Sequence, residues 1–191
     1  MKRIIIIVVV VAMFGWALYD FVLSSDKADD KETDDNEVVE ETGGEDDDGI
    51  EIGLERGNRA PDFELETLEG ETIKLSDLQG KPVFLNFFTS WCPPCRAEAP
   101  DMQKFHEESD VQVLAVNMYE REYNEEDVPK FIEEFGLTLP MVIDETLEVT
   151  YRYGVQVMPT TYLLDSDGLI VNVAQGPMNF DMMVDVFSDI D

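Results

Sequence analysis

The segment Pro82–Phe88, PVFLNFF, is followed after two residues by Trp91-Cys92-Pro93-Pro94-Cys95 and then by RAEAPDMQKFHEE. A short apolar run bounded by turn signals reads as a buried central strand. Proline is tolerated in the first turn of a helix, where its missing N–H costs nothing, so Pro94 to about Ser109 reads as a helix. Pro100 falls inside that pattern and is expected to kink it. A buried strand turning into a helix within so few residues commits this part of the chain to an α/β architecture.

The flanking sequence extends that unit. APDFELETLEGETIKLSDLQGK alternates apolar and polar residues about Glu69-Gly70, which predicts a hairpin with Phe63, Leu65, Ile73 and Leu75 facing inward. Val111–Met118 reads as a second buried strand. Asn124 or a neighbour caps a helix that runs to Phe135 and ends at Gly136. MVID is a short strand and Leu147–Tyr153 a helix. TTYLLD and LIVNVAQ, separated by Ser166-Asp167-Gly168, read as an antiparallel hairpin. Asn179–Ile190 is a closing helix. The expected order is a hairpin, then βαβαβα, then ββα.

The N-terminus imposes a different constraint. Lys2 and Arg3 precede an uncharged run from Ile4 to Tyr19, continued past Asp20 by Phe21–Leu23. About 20 mostly apolar residues span a bilayer core. The two cations hold the N-terminus on the cytoplasmic side, which places the remainder outside. The run is long for a cleaved signal peptide and no small-x-small cleavage site follows it. Residues 1–23 are therefore expected to be a single-span anchor. Residues 24–56, dominated by Asp and Glu, are expected to be a disordered tether. The domain proper is expected to span 57–191.

The formal net charge is −30. That argues against nucleic-acid binding, since a phosphate backbone is captured by Lys and Arg, and against a peripheral anchor on anionic lipid. From Gly57 onward there are still 27 Asp/Glu against 8 Lys/Arg. Such acidity serves solubility or recognition of a basic partner.

Cys92 and Cys95 are the chain's two cysteines and His106 its one histidine. A zinc site needs four ligands of the Cys/His type, so a metal role is not expected. A structural disulfide closing so short a loop removes little chain entropy. A redox couple remains. Cys92 would precede the helix and Cys95 lie in its first turn, where unpaired N–H groups and positive partial charge favour a thiolate. Cys92 is expected to be exposed and to attack, with Cys95 resolving the mixed disulfide.

WCPPC after an apolar strand, with MPTTYLLD further on, resembles the thioredoxin superfamily. The fuller set, from APDFELETLEGETIKLSDLQGKPVFLNFFTSWCPPCRAEAPDM through VLAVNM, FGLTLPMVID and YGVQVMPTTYLLDSDGLIV to GPM, is similar to its membrane-anchored TlpA/ResA/CcmG-like branch. The resemblance implies a thioredoxin-like fold, a central mixed sheet flanked by helices with an N-terminal β-hairpin extension. It makes Cys92 the attacking and Cys95 the resolving cysteine, with Glu98 an acid–base partner close to them; an exposed helix residue is the alternative for Glu98. It makes Pro159 a cis-proline facing the pair. Met158, Pro159 and Thr160 would form the loop that meets a substrate segment, with Trp91, Pro93 and Pro94 shaping the rim. Glu120 would match a further acidic residue near the site. Thioredoxin itself usually carries Gly-Pro where this chain has Pro93-Pro94, so its potential does not transfer.

The resemblance further implies reduction of an apocytochrome c haem-motif disulfide, re-reduction by a CcdA-like membrane donor, and no cofactor beyond the dithiol. Other readings remain open at this point: a general extracytoplasmic reductase or oxidase, a peroxiredoxin-like peroxidase, and a non-enzymatic binding module. Against the peroxidase, Thr89 stands three residues before Cys92, but Leu85 occupies the proline position of P-x-x-x-T-x-x-C.

Overall fold

All six residues of strand Val83–Phe88 are buried, and the physical reason is that both of its faces are covered. A computed structural model of the chain describes residues 44–46, 48–188 and 190. The expected anchor, 1–23, and residues 24–43 of the expected tether lie outside the described residues. Among the described residues no helix is long and apolar enough to cross a membrane.

The strands are β1 (Glu64–Glu66), β2 (Thr72–Lys74), β3 (Val83–Phe88), β4 (Gln112–Asn117), β5 (Met141–Ile143), β6 (Thr160–Leu164) and β7 (Ile170–Gln175). The helices are α1 (Pro93–Glu108), α2 (Asp127–Phe135), α3 (Glu148–Arg152) and α4 (Phe180–Phe187). The sheet order is β2-β1-β5-β4-β3-β6-β7. The central β5-β4-β3 pairings are parallel, while β1–β5, β3–β6 and the two hairpins are antiparallel. This is the mixed sheet that the resemblance implied, with β3 between β4 and β6.

Alternation along β3 divides the core. Phe84 and Phe88 face one apolar cluster with Ala99, Met102 and Phe105 of α1, Phe131 of α2 and Met183 and Phe187 of α4. Val83, Leu85 and Phe87 face the other, with Phe63 and Leu75 from the hairpin region and Val149 and Tyr153 from the α3 region. Ala99, Met102 and Phe105 recur at helical spacing, so α1 presents one apolar stripe to the sheet. Burying a side chain such as Phe105 contributes roughly 1.5–3 kcal/mol.

The hairpin forms with Leu65 opposite Ile73. Gly70 takes φ +82°, which an L side chain rarely adopts. Gly136 closes α2 in the left-handed region, as its position predicts. The expected cap at Asn124 is reversed. Asp127, the first residue of α2, accepts hydrogen bonds from the Asn124 backbone N–H and side-chain amide. Helix α3 begins at Glu148, because Leu147 sits at φ +59° and cannot be helical.

The reading of 44–56 as tether needs correction. Asp46 accepts the Asp48 and Ile50 N–H groups and pairs with Arg59. Ile52 and Arg59 form a parallel bridge, and Arg59 also bridges to Leu169 of the β6–β7 turn. Charge composition alone predicted no order here, but one cation, Arg59, compensates Asp46 and the backbone bonds do the rest.

Candidate active site

The redox pair is positioned by the end of β3 and the start of α1. Cys92 is the N-cap of α1, with Pro93 and Pro94 at the first two helical positions where no N–H is needed. Cys92 and Cys95 are joined as a disulfide, with Cα atoms 5.3 Å apart. The Cys95 N–H points at Cys92 Sγ, 3.3 Å away. The helix N-terminus therefore meets the sulfur that would carry negative charge after reduction.

Cys92 was expected to be exposed. In the disulfide state it is only 3% exposed, the same as Cys95. The bond to Cys95 turns its sulfur back over the helix end, within the apolar cluster that contains Phe88 and Met178. The exposed feature is its neighbour Trp91, at 37%, whose indole N–H donates to the Arg121 carbonyl at 2.8 Å and whose ring lies 5.5 Å from that of Tyr123.

Glu98 follows Cys95 by one helical turn. It is 2% exposed, which rules out the surface reading. Its Oε1 accepts the Met178 N–H at 2.8 Å, and its Oε2 accepts from Asn86 Nδ2 at 3.1 Å. Burial pushes its pKa up to about 7, against the lowering effect of those two hydrogen bonds. Asn86 also donates to Thr161 Oγ1 at 2.9 Å. Asn86 and Thr161 are cross-strand partners on β3 and β6, on the face that α1 covers.

The Met158–Pro159 peptide is cis. Thr89, just after β3, donates to Met158 Sδ at 3.6 Å, so this loop lies at the end of the sheet that carries the cysteines. Thr160 Oγ1 donates to the Val157 carbonyl and the Pro159 carbonyl accepts the Gly176 N–H. Val157 is exposed and Met158 half-buried. Trp91, Tyr123 and Val157 thus leave exposed apolar surface on the segments that flank the pair.

The second acidic residue is Glu122 rather than Glu120. Glu120 is exposed, whereas Glu122 accepts the Ser90 N–H and the Asn117 amide, each at 2.7 Å, and the Ser90 hydroxyl. It fixes the backbone two residues before Cys92. On the other side, Arg96 donates to the Ser90 carbonyl, pairs with Glu134 and lies over the Phe131 and Phe135 rings.

Sequence reading missed Asn86, Thr161, Asn117 and Glu122. An Asn within or at the end of an apolar run, at Asn86 and Asn117, was a usable signal, since a buried amide requires partners. Glu122 carried none, because it stands in a Glu-rich stretch. Among the described residues no group of three or more His, Cys, Asp or Glu is placed to hold a metal ion.

Comparison with known proteins agrees with this geometry. The AhpC/TSA family model matches residues 56–173. Thiol-disulfide oxidoreductase ResA of Halalkalibacterium halodurans is 43% identical over 137 residues, covering 70% of this chain and 76% of that protein. Thioredoxin-like protein YneN of Bacillus subtilis is 42% identical over 130 residues, covering 67% and 76%. Among solved structures, StoA of Bacillus subtilis superposes with a TM-score of 0.58 at 35% identity, covering 65% of this chain and 95% of that one. A DsbE-type thiol:disulfide interchange protein of Chlorobium tepidum gives 0.60 at 34% identity, covering 68% and 92%. A disulfide-forming pair at a helix N-terminus, on a thioredoxin-like sheet shared with these enzymes, has one consistent chemistry: the chain belongs to the AhpC/TSA family, as a thiol-disulfide oxidoreductase of the ResA type.

Proposed function

We propose that this oxidoreductase works as a reductant outside the cytoplasm, and that its client is the disulfide of an apocytochrome c haem motif. The observation that carries the direction is the buried carboxyl of Glu98, one turn beyond Cys95. At about 6 Å and an effective dielectric near 20, two like charges repel by about 3 kcal/mol. The helix N-terminus returns at most about 2 kcal/mol to the thiolate. An ionised Glu98 therefore destabilises a thiolate on the pair, and a couple whose reduced form is not held as thiolate is the more reducing one.

In the forward reaction Cys92 thiolate attacks one sulfur of the client disulfide. A Cys92–client disulfide forms and the other client sulfur leaves as thiolate. Cys95, giving its proton to Glu98, attacks Cys92 Sγ and expels the second client thiolate. Two electrons pass to the client and the Cys92–Cys95 disulfide is left. Protons for the client thiolates come from solvent. A CcdA-like membrane dithiol returns the pair to its reduced form.

The cytochrome client follows from the resemblance to the TlpA/ResA/CcmG-like branch, and the anchor expected from sequence at residues 1–23 would suit a membrane donor. The acidity of the domain is complementary to a basic client segment. Deleting the gene and assaying covalent c-type haem tests the client. Loss of haem that exogenous thiol restores is expected. Normal haem without added thiol would remove the cytochrome assignment and leave a general extracytoplasmic reductase.

A further inference from the structure

We infer that Asn86 is a positioning residue for Glu98, holding the carboxyl in place in both of its protonation states by turning its side-chain amide over. This rests on the reading that Glu98 exchanges a proton with the dithiol.

Asn86 is 1% exposed and sits midway along β3, on the face packed by α1. Its Nδ2 uses both protons, one to Glu98 Oε2 and one to Thr161 Oγ1. Its Oδ1 is buried and, among the described residues, has no partner. A buried amide oxygen left unpaired costs about 1–3 kcal/mol, so its presence at the centre of the sheet calls for a reason.

The arrangement suits an ionised Glu98. Both carboxylate oxygens then accept, one from Met178 N–H and one from the amide. A protonated Glu98 changes the demand. Oε1 is already engaged by the Met178 N–H, so the proton goes on Oε2, where it meets the Asn86 N–H donor. Rotating the amide by 180° exchanges nitrogen for oxygen at nearly the same site. Oδ1 then accepts from the Glu98 hydroxyl and from the Thr161 hydroxyl. Each orientation leaves one amide atom unpaired, Oδ1 in one and Nδ2 in the other, and the proton on Glu98 decides which is used, because the carboxylate needs a donor there and the acid an acceptor.

The surroundings allow this coupling to be read cleanly. The charged group that acts on Glu98 is Asp101 of its own helix. Strands β3 and β6 and the segment before α4 present Asn86, Thr161 and the Met178 N–H, none of which titrates in the relevant range. Cys95 is its redox neighbour on α1. Glu98 thus gains and loses a proton without losing its contacts, which keeps it aligned one turn from Cys95 throughout the cycle.

The test is an NMR titration of the oxidised full-length chain, following Glu98 ¹³Cδ and the Asn86 side-chain amide. Both are expected to move with one midpoint, with contacts from the Nδ2 protons to Thr161 present above it and lost below it. An amide that keeps the same contacts on both sides of the midpoint overturns the inference. Asn86→Leu removes both the donor to the carboxylate and the acceptor for the acid; because the bond to the charged form is the stronger, the Glu98 midpoint is expected to rise by about one pH unit. An unmoved midpoint in a folded Asn86→Leu protein also overturns it. Should that variant not fold, the wild-type titration still decides. In the reduced protein Asn86→Leu is expected to shift the pH profile of cysteine alkylation, and to shift it no further in a Glu98→Gln background. An equal shift in that background would show that Asn86 acts on the thiols without Glu98. If the amide titrates with Glu98 while the alkylation profiles of all variants coincide, the positioning stands and the proton exchange with the dithiol falls.

Discussion

Glu98 Oε1 accepts the backbone N–H of Met178 at 2.8 Å, which ties the helix that carries the redox pair to the segment leading into α4. The bond seats the carboxyl in the apolar cluster, and burial there raises its pKa from the ordinary 4.5 to about 7. A pKa raised by folding means that the folded state holds its proton more tightly. Below about pH 4.5 both states are protonated and the full stability is present. Between about 4.5 and 7 the unfolded state ionises first, so stability falls, by about 3 kcal/mol in all, and then levels off. Glu98→Gln removes this slope. Urea denaturation of the oxidised protein at several pH values should show the difference between the two proteins narrowing or inverting over that window. Parallel stability curves would show that Glu98 is ionised in the folded state throughout.

The same substitution speaks to the thiols. In the reduced protein an ionised Glu98 opposes thiolate formation on the pair, so Glu98→Gln should lower the apparent thiol pKa values by about one to two units. Because the carboxyl and thiols are coupled, the midpoints belong to the group rather than to one residue. Alkylation by iodoacetamide near neutral pH should then be roughly tenfold faster in the variant. Superimposable alkylation profiles would return Glu98 to a purely structural role.

Cys95→Ser should accumulate a mixed disulfide between Cys92 and the client, because the resolving step is gone while the attacking one remains. Non-reducing gels of cells expressing the full chain should show an adduct that dithiothreitol dissolves. The double variant Cys92→Ser, Cys95→Ser should show none. The order of attack follows from helix position, since Cys92 is the N-cap that receives the Cys95 N–H. An adduct that forms only through Cys95 would reverse the assignment. Its identity would name the client directly.

The features that the sequence disclosed are those whose physics is local. Pro93 and Pro94 mark the start of α1 because a missing N–H costs nothing in the first turn, and Gly136 ends α2 because a left-handed residue must. The run at Val83–Phe88 fixed the central strand. The contacts that sequence did not disclose are made by packing. Asn86 and Glu98 lie 12 residues apart on a strand and a helix, and only the docking of α1 on β3 brings them together. Between Glu120 and Glu122 the decision is made by the tight turn at Tyr119–Arg121, which sends one carboxylate outward and the other under Ser90. Composition misled at residues 44–56, where Arg59, 13 residues beyond Asp46 and outside the stretch, pairs with that carboxylate.

Glu122 yields the last expectation. It accepts from Ser90 N–H, Ser90 hydroxyl and Asn117 amide, and the adjacent Arg121 carbonyl holds the Trp91 indole. The segment Ser90–Cys92 is thus pinned to the turn after β4 from both its backbone and its aromatic side chain. Glu122→Ala leaves the Ser90 and Asn117 donors without that partner. Where water replaces it the cost is small, and where it does not the cost is about 1–3 kcal/mol, so a loss in that range is expected on urea denaturation. Loosening should also free Trp91 from the Arg121 carbonyl and from Tyr123, shifting its fluorescence to longer wavelength. The turnover of a protein disulfide should fall more than that of a small neutral disulfide such as hydroxyethyl disulfide, because only the former needs the Trp91 rim in place. Stability lost with unchanged Trp91 emission and equal effects on both substrates would confine Glu122 to supporting the fold.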